Sequence, residues 1–408
     1  MTCRSCGSEA LAQVLDLGAL PEANSFPDAK STPAEDPRFP LRVQVCRTCW
    51  LVQLDDEGPD EAALPGPPAH ELSPTMRAHA IGLVDDALDR VPAATAGGRV
   101  VEMASHGGHL AAFLAERGIR SLIVEETPAL AAAARARGHR VLGARFGRAA
   151  AAQIVAEEGP ADLVIDNYLL AHVADPDDVA AGLAALIGPK GIAVLEFDHV
   201  LPLILDRRFD SVRHGHYAYL GLLSASSLLR RHGLAVLDAT VQPVYGGALR
   251  IVVGHLGAAA PTRAVAGVLE SEGRAGLNGV GAYAAFAQGV GERIGQLRGF
   301  LEERRDRGEV VVGYGAPSRG NTLLNAAGVG ADLLAYTVDR SPSKQGRRLP
   351  GSGVPIHDPG RILETRPAYV LILTWDLRDE VMASLRGIAA WGGRFVVPLP
   401  RFEVLEAG

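Results

Sequence analysis

Four cysteines, two histidines one residue apart, and acids at the ends of apolar runs are the residues whose types and spacing can do chemistry in this chain. The cysteines fall in two pairs, Cys3-Arg-Ser-Cys6 and Cys46-Arg-Thr-Cys49. A Cys-x-x-Cys turn aims two thiolates at one point, and four thiolates at about 2.3 Å close a tetrahedral shell around zinc with no position left for a substrate. The pattern therefore predicts a structural zinc; a catalytic one would need a His or carboxylate and a vacant site. Disulfides are not expected, because the start, MTCRSCGSEA, has neither the basic nor the apolar stretch of a secretory signal, which predicts a cytoplasmic chain. The loop between the pairs contains Leu15 to Pro27, punctuated by Gly, Pro and Asn, and irregular structure is expected there.

The histidines lie in Arg213-His214-Gly215-His216-Tyr217-Ala218-Tyr219. Histidine is the usual general base near neutral pH, and two of them at i and i+2 on an extended segment would project to the same side, one to abstract a proton and one to orient. A pair satisfied within the core is the other reading of such a motif. No third ligand stands nearby, so metal binding is not expected of them. Arg250 follows a Gly246-Gly247 turn, where it could neutralise a phosphate or cap a sheet edge.

These residues need elements to hold them. A helix is expected from Pro74 to Val91, then a strand from Gly98 to Met103 that carries Glu102 and runs through Ala104-Ser-His-Gly-Gly108 into an Ala/Leu-rich helix. Strand, small-residue turn and helix open a nucleotide-binding sheet, because small residues let backbone N–H groups approach a ligand. Further strands end at Glu125, placed to accept from ribose hydroxyls, at Asp166 with Asn167 and His172 beyond it, and at Glu196. No G-x-G-x-x-G is present, so S-adenosylmethionine is expected in this crevice rather than NAD.

A second strand–turn–helix, Val310 to Thr322, offers Ser318, Arg319, Asn321 and Thr322 at a helix start, and a later strand ends at Asp339 before Lys344-Gln-Gly-Arg347-Arg348. Backbone amides with Ser318, Asn321 and Thr322 make a candidate phosphate cradle, and the run after Asp339 is the densest basic patch in the chain. The fold class expected is α/β: a small zinc-binding module with its linker (1–72), a Rossmann-like domain with the S-adenosylmethionine crevice and the histidines (73–257), and a C-terminal Rossmann-like domain with the candidate phosphate cradle (258–408). With a net charge of −7, lysine at three positions only and no apolar run near the roughly 18 residues of a membrane helix, neither nucleic acid nor membrane is expected as a partner. The sequence leaves the oligomeric state open, and a monomer suffices for these motifs.

The order of motifs resembles the zinc-containing, S-adenosylmethionine-dependent deoxysugar C-methyltransferases of antibiotic biosynthesis over nearly the whole chain. Leu15 to Phe26 is similar to that family's LDLG.PLAN.F, Val100 to Leu110 to VVEI.SNDGYL, Asp210 to Tyr219 to D.IYHEH.SY, Tyr245 to Arg250 to H.GGSLR, Gly313 to Leu324 to GYGA..KGN.LL, and Asp339 to Gly351 to D..P.KQG...PG.

The resemblance implies that His216 removes a proton beside the keto group of a dTDP-linked deoxysugar, with His214 and Arg213 around it. It implies that Glu102, Ala104, Gly108, Glu125, Asn167 and His172 hold the cofactor. Tyr219, Arg250, Arg319, Asn321, Asp339, Lys344 and Arg347 would hold the substrate. Arg213 and Gly215 stand where the family has Tyr and Glu, and His106-Gly107 replaces an Asn-Asp pair. A family member with altered substrate or non-methylating chemistry is therefore the second expectation.

Overall fold

In the computed structural model, which describes residues 1–55, 58, 73–103 and 107–407, the chain opens on a long antiparallel hairpin. Strand β1 (Leu11–Pro21) pairs with β2 (Arg38–Cys46), and β3 (Val52–Leu54) extends the sheet. The expectation of irregular structure from Leu15 to Pro27 is corrected for Leu15 to Pro21, which is strand, and holds for Glu22 to Pro27. Strand β1 passes through Leu17-Gly18 because its register shifts twice, between Gln13 and Leu15 and between Asp16 and Ala19. Bulges absorb residues a regular ladder would reject, and Pro21 is the last residue of the strand, where a missing N–H matters least. Of the proposed linker from Asp55 to Ser73, all but Asp55, Gly58 and Ser73 lies outside the described residues.

Helix Pro74–Arg90 starts where Ser73 accepts the Met76 amide and proline takes the first helical position. Its buried face, Ala80, Leu83, Val84, Ala87 and Leu88, has the i, i+3, i+4 spacing read from the sequence and packs on Phe113, Leu114 and Leu163. Strands β4 (Val100–Met103), β5 (Ser121–Val124), β6 (Arg140–Leu142), β7 (Ala161–Asn167) and β8 (Ile187–Asp198) are parallel. The two-residue β9 (Ala218–Tyr219) leaves this domain and pairs with β3, Tyr219 opposite Val52. Strands β10 (Leu234–Gln242) and β11 (Ala248–His255) return antiparallel, giving the order β10-β11-β8-β7-β4-β5-β6. The order reverses between β4 and β7, and ligands bind outside the carboxyl ends of strands at such a point.

The last sheet has β12 (Val311–Tyr314), β13 (Thr337–Val338), β14 (Ile356–His357), β15 (Tyr369–Ile372), β16 (Arg394–Val397) and an antiparallel β17 (Glu403–Glu406), in the order β14-β13-β12-β15-β16-β17. The architecture is thus the expected one, a cysteine module followed by two Rossmann-like sheets. Helix Arg263–Arg274, assigned above to the last domain, packs on β10 and helix Leu222–Arg231 of the middle one; helix Val280–Asp306 packs on β1 and β12. Among the described residues no helix is long and apolar enough to cross a membrane.

One apolar core joins Val43 and Leu54 of the module, Phe209, Val212 and Tyr219 around the histidines, and Leu323 and Ile372 of the last domain. Fully burying a side chain such as Phe209 contributes about 1.5–3 kcal/mol. The histidine segment is therefore wedged between three units, and its position depends on all of them.

Candidate active site

The four cysteines converge. Sγ of Cys3 lies 3.5 Å from that of Cys49, Sγ of Cys6 lies 3.6 Å from that of Cys46, and all four fall within 4.8 Å of one another. Tetrahedral zinc with bonds of about 2.3 Å sets sulfurs about 3.8 Å apart, so the donor set fits. Hydrogen bonding between Cys49 and Cys3 draws the Cys3 thiol down to about 5 and pushes Cys49 up, while burial pushes Cys6 up. Four thiolates at this spacing need a cation among them. Gln53, fully buried, braces the first knuckle by accepting the Arg4 amide at 2.8 Å and donating to the Thr2 carbonyl at 3.2 Å.

At the switch point of the middle sheet, Glu102 is fully buried; among the described residues neither carboxylate oxygen makes a hydrogen bond of ordinary geometry, and the nearby Ala111 amide lowers its pKa only in part. Burial, reinforced by Glu125, pushes its pKa up to about 8. An orphaned acid here suits a ligand that brings its own donors, as S-adenosylmethionine does. Gly108 begins helix His109–Glu116, and Glu125 holds its carboxylate at the strand end by accepting the Thr127 amide at 2.9 Å. Ala104 lies outside the described residues. Asn167 ends β7 beside Asp166, which accepts the amides of Leu169 and Leu170 and is raised by burial to about 7.

The expected cofactor residue His172 is brought to the other histidines. Its Nδ1 donates to the Gly215 carbonyl at 2.9 Å, which leaves Nε2 to accept from Arg213 at 3.3 Å. Its ring stands edge-on to His216, centroids 4.8 Å apart, and Tyr219 covers His216 at 4.4 Å. His216 is 1% exposed, and among the described residues neither ring nitrogen has a hydrogen-bond partner. Burial, then His172 and Arg213, hold its pKa well below the ordinary histidine value, so the ring is neutral at pH 7 and able to accept a proton.

The expectation that His214 projects beside His216 is corrected. Gly215 has φ +77°, a left-handed value that turns the chain between the two. His214 points into the module, its Nε2 donating to the carbonyls of Phe39 and Pro40 at 3.3 and 3.2 Å. It pins the segment to β2.

Of the two roles expected of Arg250, the structure places its side chain in the sheet. On β11 it stands opposite Glu196 of β8, gives that carboxylate two contacts of 2.9 Å, and reaches Asp86 at 3.4 Å with its third nitrogen. Its buried guanidinium is spent on the sheet. Asn321 is 1% exposed and its amide donates to the Ala23 carbonyl at 3.2 Å, a seam contact with the module instead of a free phosphate ligand. Asp339 accepts the Ala316 and Ser341 amides, Lys344 donates to the Ala316 carbonyl at 2.8 Å, and exposed Arg347 donates to the Phe26 carbonyl at 3.0 Å. These three line one edge of the last sheet.

Arg319 faces the middle domain. It pairs with Asp376 at 2.6 Å, donates to the Tyr245 carbonyl at 3.2 Å and lies 5.1 Å from the Trp375 ring. Fully buried Arg208 reaches the same Tyr245 carbonyl at 2.9 Å. A Cβ on Gly246 would stand 2.4 Å from the Trp375 ring, so only glycine lets the two domains meet there.

Sequence reasoning missed Asp198, Tyr168 and this seam. Asp198 is the last residue of β8, two beyond the acid taken as the strand end, with one buried oxygen unpartnered. Tyr168 sits at φ 73° with its buried hydroxyl unpartnered. The Glu-Phe-Asp-His run was the available signal, since alternation puts Glu196 and Asp198 on one face. A groove of about 600 Å³ between Pro202, Val241 and Val268 includes neither His216 nor Asp198.

Three domain families match the chain in order: a zinc-binding domain over residues 3–63, a methyltransferase domain over 76–239, and a C-methyltransferase C-terminal domain over 243–400. The chain is 32% identical to C-methyltransferase NovU of Streptomyces niveus over 99% of its own length and 97% of that protein. Among solved structures it is similar to magnesium protoporphyrin IX methyltransferase of Synechocystis PCC 6803 with bound SAM (13% identity, 44% of this chain and 78% of that one, TM-score 0.34). The CcbJ methyltransferase of Streptomyces caelestis is another such structure (15% identity, 49% and 94%, TM-score 0.34).

Proposed function

Because this chain belongs to the family of S-adenosylmethionine-dependent C-methyltransferases with an N-terminal zinc-binding domain, we propose that it methylates the carbon beside the keto group of a sugar carried on thymidine diphosphate, with His216 as the base. The observation that carries this reading is His216 itself: 1% exposed, neutral, and with two unpartnered ring nitrogens. A buried polar atom without a partner costs about 1–3 kcal/mol, which a fold sustains where a ligand supplies the partner.

Bound S-adenosylmethionine supplies a methyl group made electrophilic by its sulfonium. The task left to the protein is to create a nucleophilic carbon. His216 takes the proton from the carbon next to the carbonyl, and the electron pair left behind forms the new bond to methyl as the sulfur keeps the pair of the broken one. Tyr219 and His172 fix the plane of the imidazole, and Arg213 ties His172 in place. Glu102, Gly108 and Glu125 hold the cofactor, with Asn167 at the end of β7. Lys344 and Arg347, at the edge of the last sheet, meet the diphosphate, and Arg319 closes the seam above the sugar. Such an enzyme works in the cytoplasm on a soluble intermediate of natural-product assembly.

The test is methyl transfer from labelled S-adenosylmethionine to a panel of thymidine-diphosphate keto-sugars. One methyl group gained on carbon, and lost with His216→Ala, is the expected result. Undiminished transfer by that variant would remove His216 from the mechanism.

A further inference from the structure

Asp198 has no role in the reading above, yet its surroundings are unusual for a carboxylate. Its Oδ2 lies 3.8 Å from Nε2 of His216, and among the described residues no other cationic nitrogen comes within 4 Å of it. Its Oδ1 is buried without a hydrogen-bond partner. The side chain retains 15% exposure at the end of β8, where the strand opens toward the seam between the two sheets. Two side chains with unsatisfied polar atoms thus face each other across one gap, from elements that share no local sequence.

We propose that Asp198 is the charge partner of His216: it stabilises the imidazolium formed when His216 takes the substrate proton, and so acts as a positioning residue of the methyl transfer. This rests on His216 being the base. In the resting enzyme the ring is neutral and the gap of 3.8 Å is too long for a hydrogen bond. Once the C–H bond of the substrate breaks and its proton forms an N–H on His216, the ring carries a positive charge in a buried place. The other groups facing it give little relief. His172 and Arg213 disfavour a cation there, and Tyr219 offers only its ring face. Among the described residues Asp198 is the one anion within 4 Å of the His216 ring nitrogens. Burial raises the pKa of the Asp198 carboxyl group above the ordinary value and Asp376 adds to that push, while Arg319, Arg208 and Arg213 oppose it. After transfer the proton passes from His216 to the carboxylate and on to solvent through the exposed edge, which returns both groups to their starting state.

The pair can be read without a substrate. In full-length protein labelled with ¹⁵N-histidine, the His216 ring is identified by its loss in His216→Gln and titrated in wild type, Asp198→Asn and Asp198→Glu. Removing the anion should lower the pKa of His216 by about one unit or more, and glutamate should restore part of it. In wild type labelled with ¹³C-aspartate, the Asp198 carboxyl signal should shift at the pH where His216 titrates, a measurement that needs no variant. In methyl transfer, Asp198→Asn should lower kcat roughly 10–100-fold, move the acid limb of kcat/KM to lower pH, and leave the sugar KM within about threefold. Unchanged His216 titration, independent titration of the two groups, or a rate loss equal at every pH with a fixed limb would each overturn the proposal and leave Asp198 as a counter-ion of the seam arginines. Full activity of His216→Ala would instead overturn the base assignment, and the proposal with it.

Discussion

The indole N–H of Trp375 donates to Oδ2 of Asp210 at 2.7 Å, both side chains buried, across the seam between the last domain and the segment that carries His216. Burial raises the Asp210 pKa, and its other oxygen has no partner. Trp375→Phe keeps an aromatic side chain but removes the donor and part of the indole volume, leaving the carboxyl group without this hydrogen bond. A loss of about 1–3 kcal/mol in unfolding free energy is expected by urea titration, with methyl transfer falling and S-adenosylmethionine affinity by calorimetry unchanged. A parallel loss of cofactor affinity would place this contact's role elsewhere.

Zinc should matter to catalysis without touching the substrate. Strand β3 follows the second cysteine pair and pairs with β9, which begins two residues past His216. Removing the metal releases β3, then β9, then the base. One zinc per chain by elemental analysis, and loss of methyl transfer together with near-UV dichroism on chelation or in Cys46→Ser, are the expected outcomes. A metal-free protein with normal turnover would break this chain of dependence.

Glu102 sets binding against stability. Its folded pKa, about 8, lies above the unfolded value near 4.5. Its stabilising contribution is therefore complete below about pH 4.5 and declines by roughly 1.4 kcal/mol per unit as pH rises toward 8. Glu102→Gln has no such titration, so the cofactor-free variant should be more stable than wild type at pH 8 and nearly equal to it at pH 4.5. The same variant should bind S-adenosylmethionine more weakly by calorimetry. Greater stability with undiminished binding would mean the acid is buried for some purpose other than the cofactor.

How much of this was legible in the sequence follows from distance along the chain. The helix at Pro74, the strands ending near Glu102 and Glu125, and the cysteine pairs declare themselves locally, through a cap, a hydrophobic run or a spacing. The diversion of Arg250 to Glu196 needed the antiparallel register of β11 on β8, and that of Asn321 needed a carbonyl almost 300 residues away. The histidines were readable as types, but their directions hung on one left-handed glycine. Asp198 was hidden by the belief that β8 ends at the first acid, whereas the strand continues for one more pleat.

Arg213 offers the sharpest test of how His216 is tuned. Its guanidinium lies near enough to hold His172 and to disfavour a second positive charge on His216. Arg213→Gln keeps an N–H donor for His172 and removes the charge. The base works when neutral, so activity is lost as pH falls through the pKa of His216, and the acid limb of kcat/KM in wild type should lie below pH 6.5. Without the arginine charge that pKa rises, and the limb should move to higher pH by up to about one unit. Folding carries the same signature with its own sign. A histidine whose folded pKa is depressed contributes stability that is full above about pH 6.5 and lost at roughly 1.4 kcal/mol per unit as pH falls toward the folded value. The stability difference between wild type and His216→Gln, followed by urea titration from pH 7 to 5, should therefore narrow over a smaller range in the Arg213→Gln background. If neither the limb nor this difference moves, burial alone sets the base, and Arg213 serves only to hold His172.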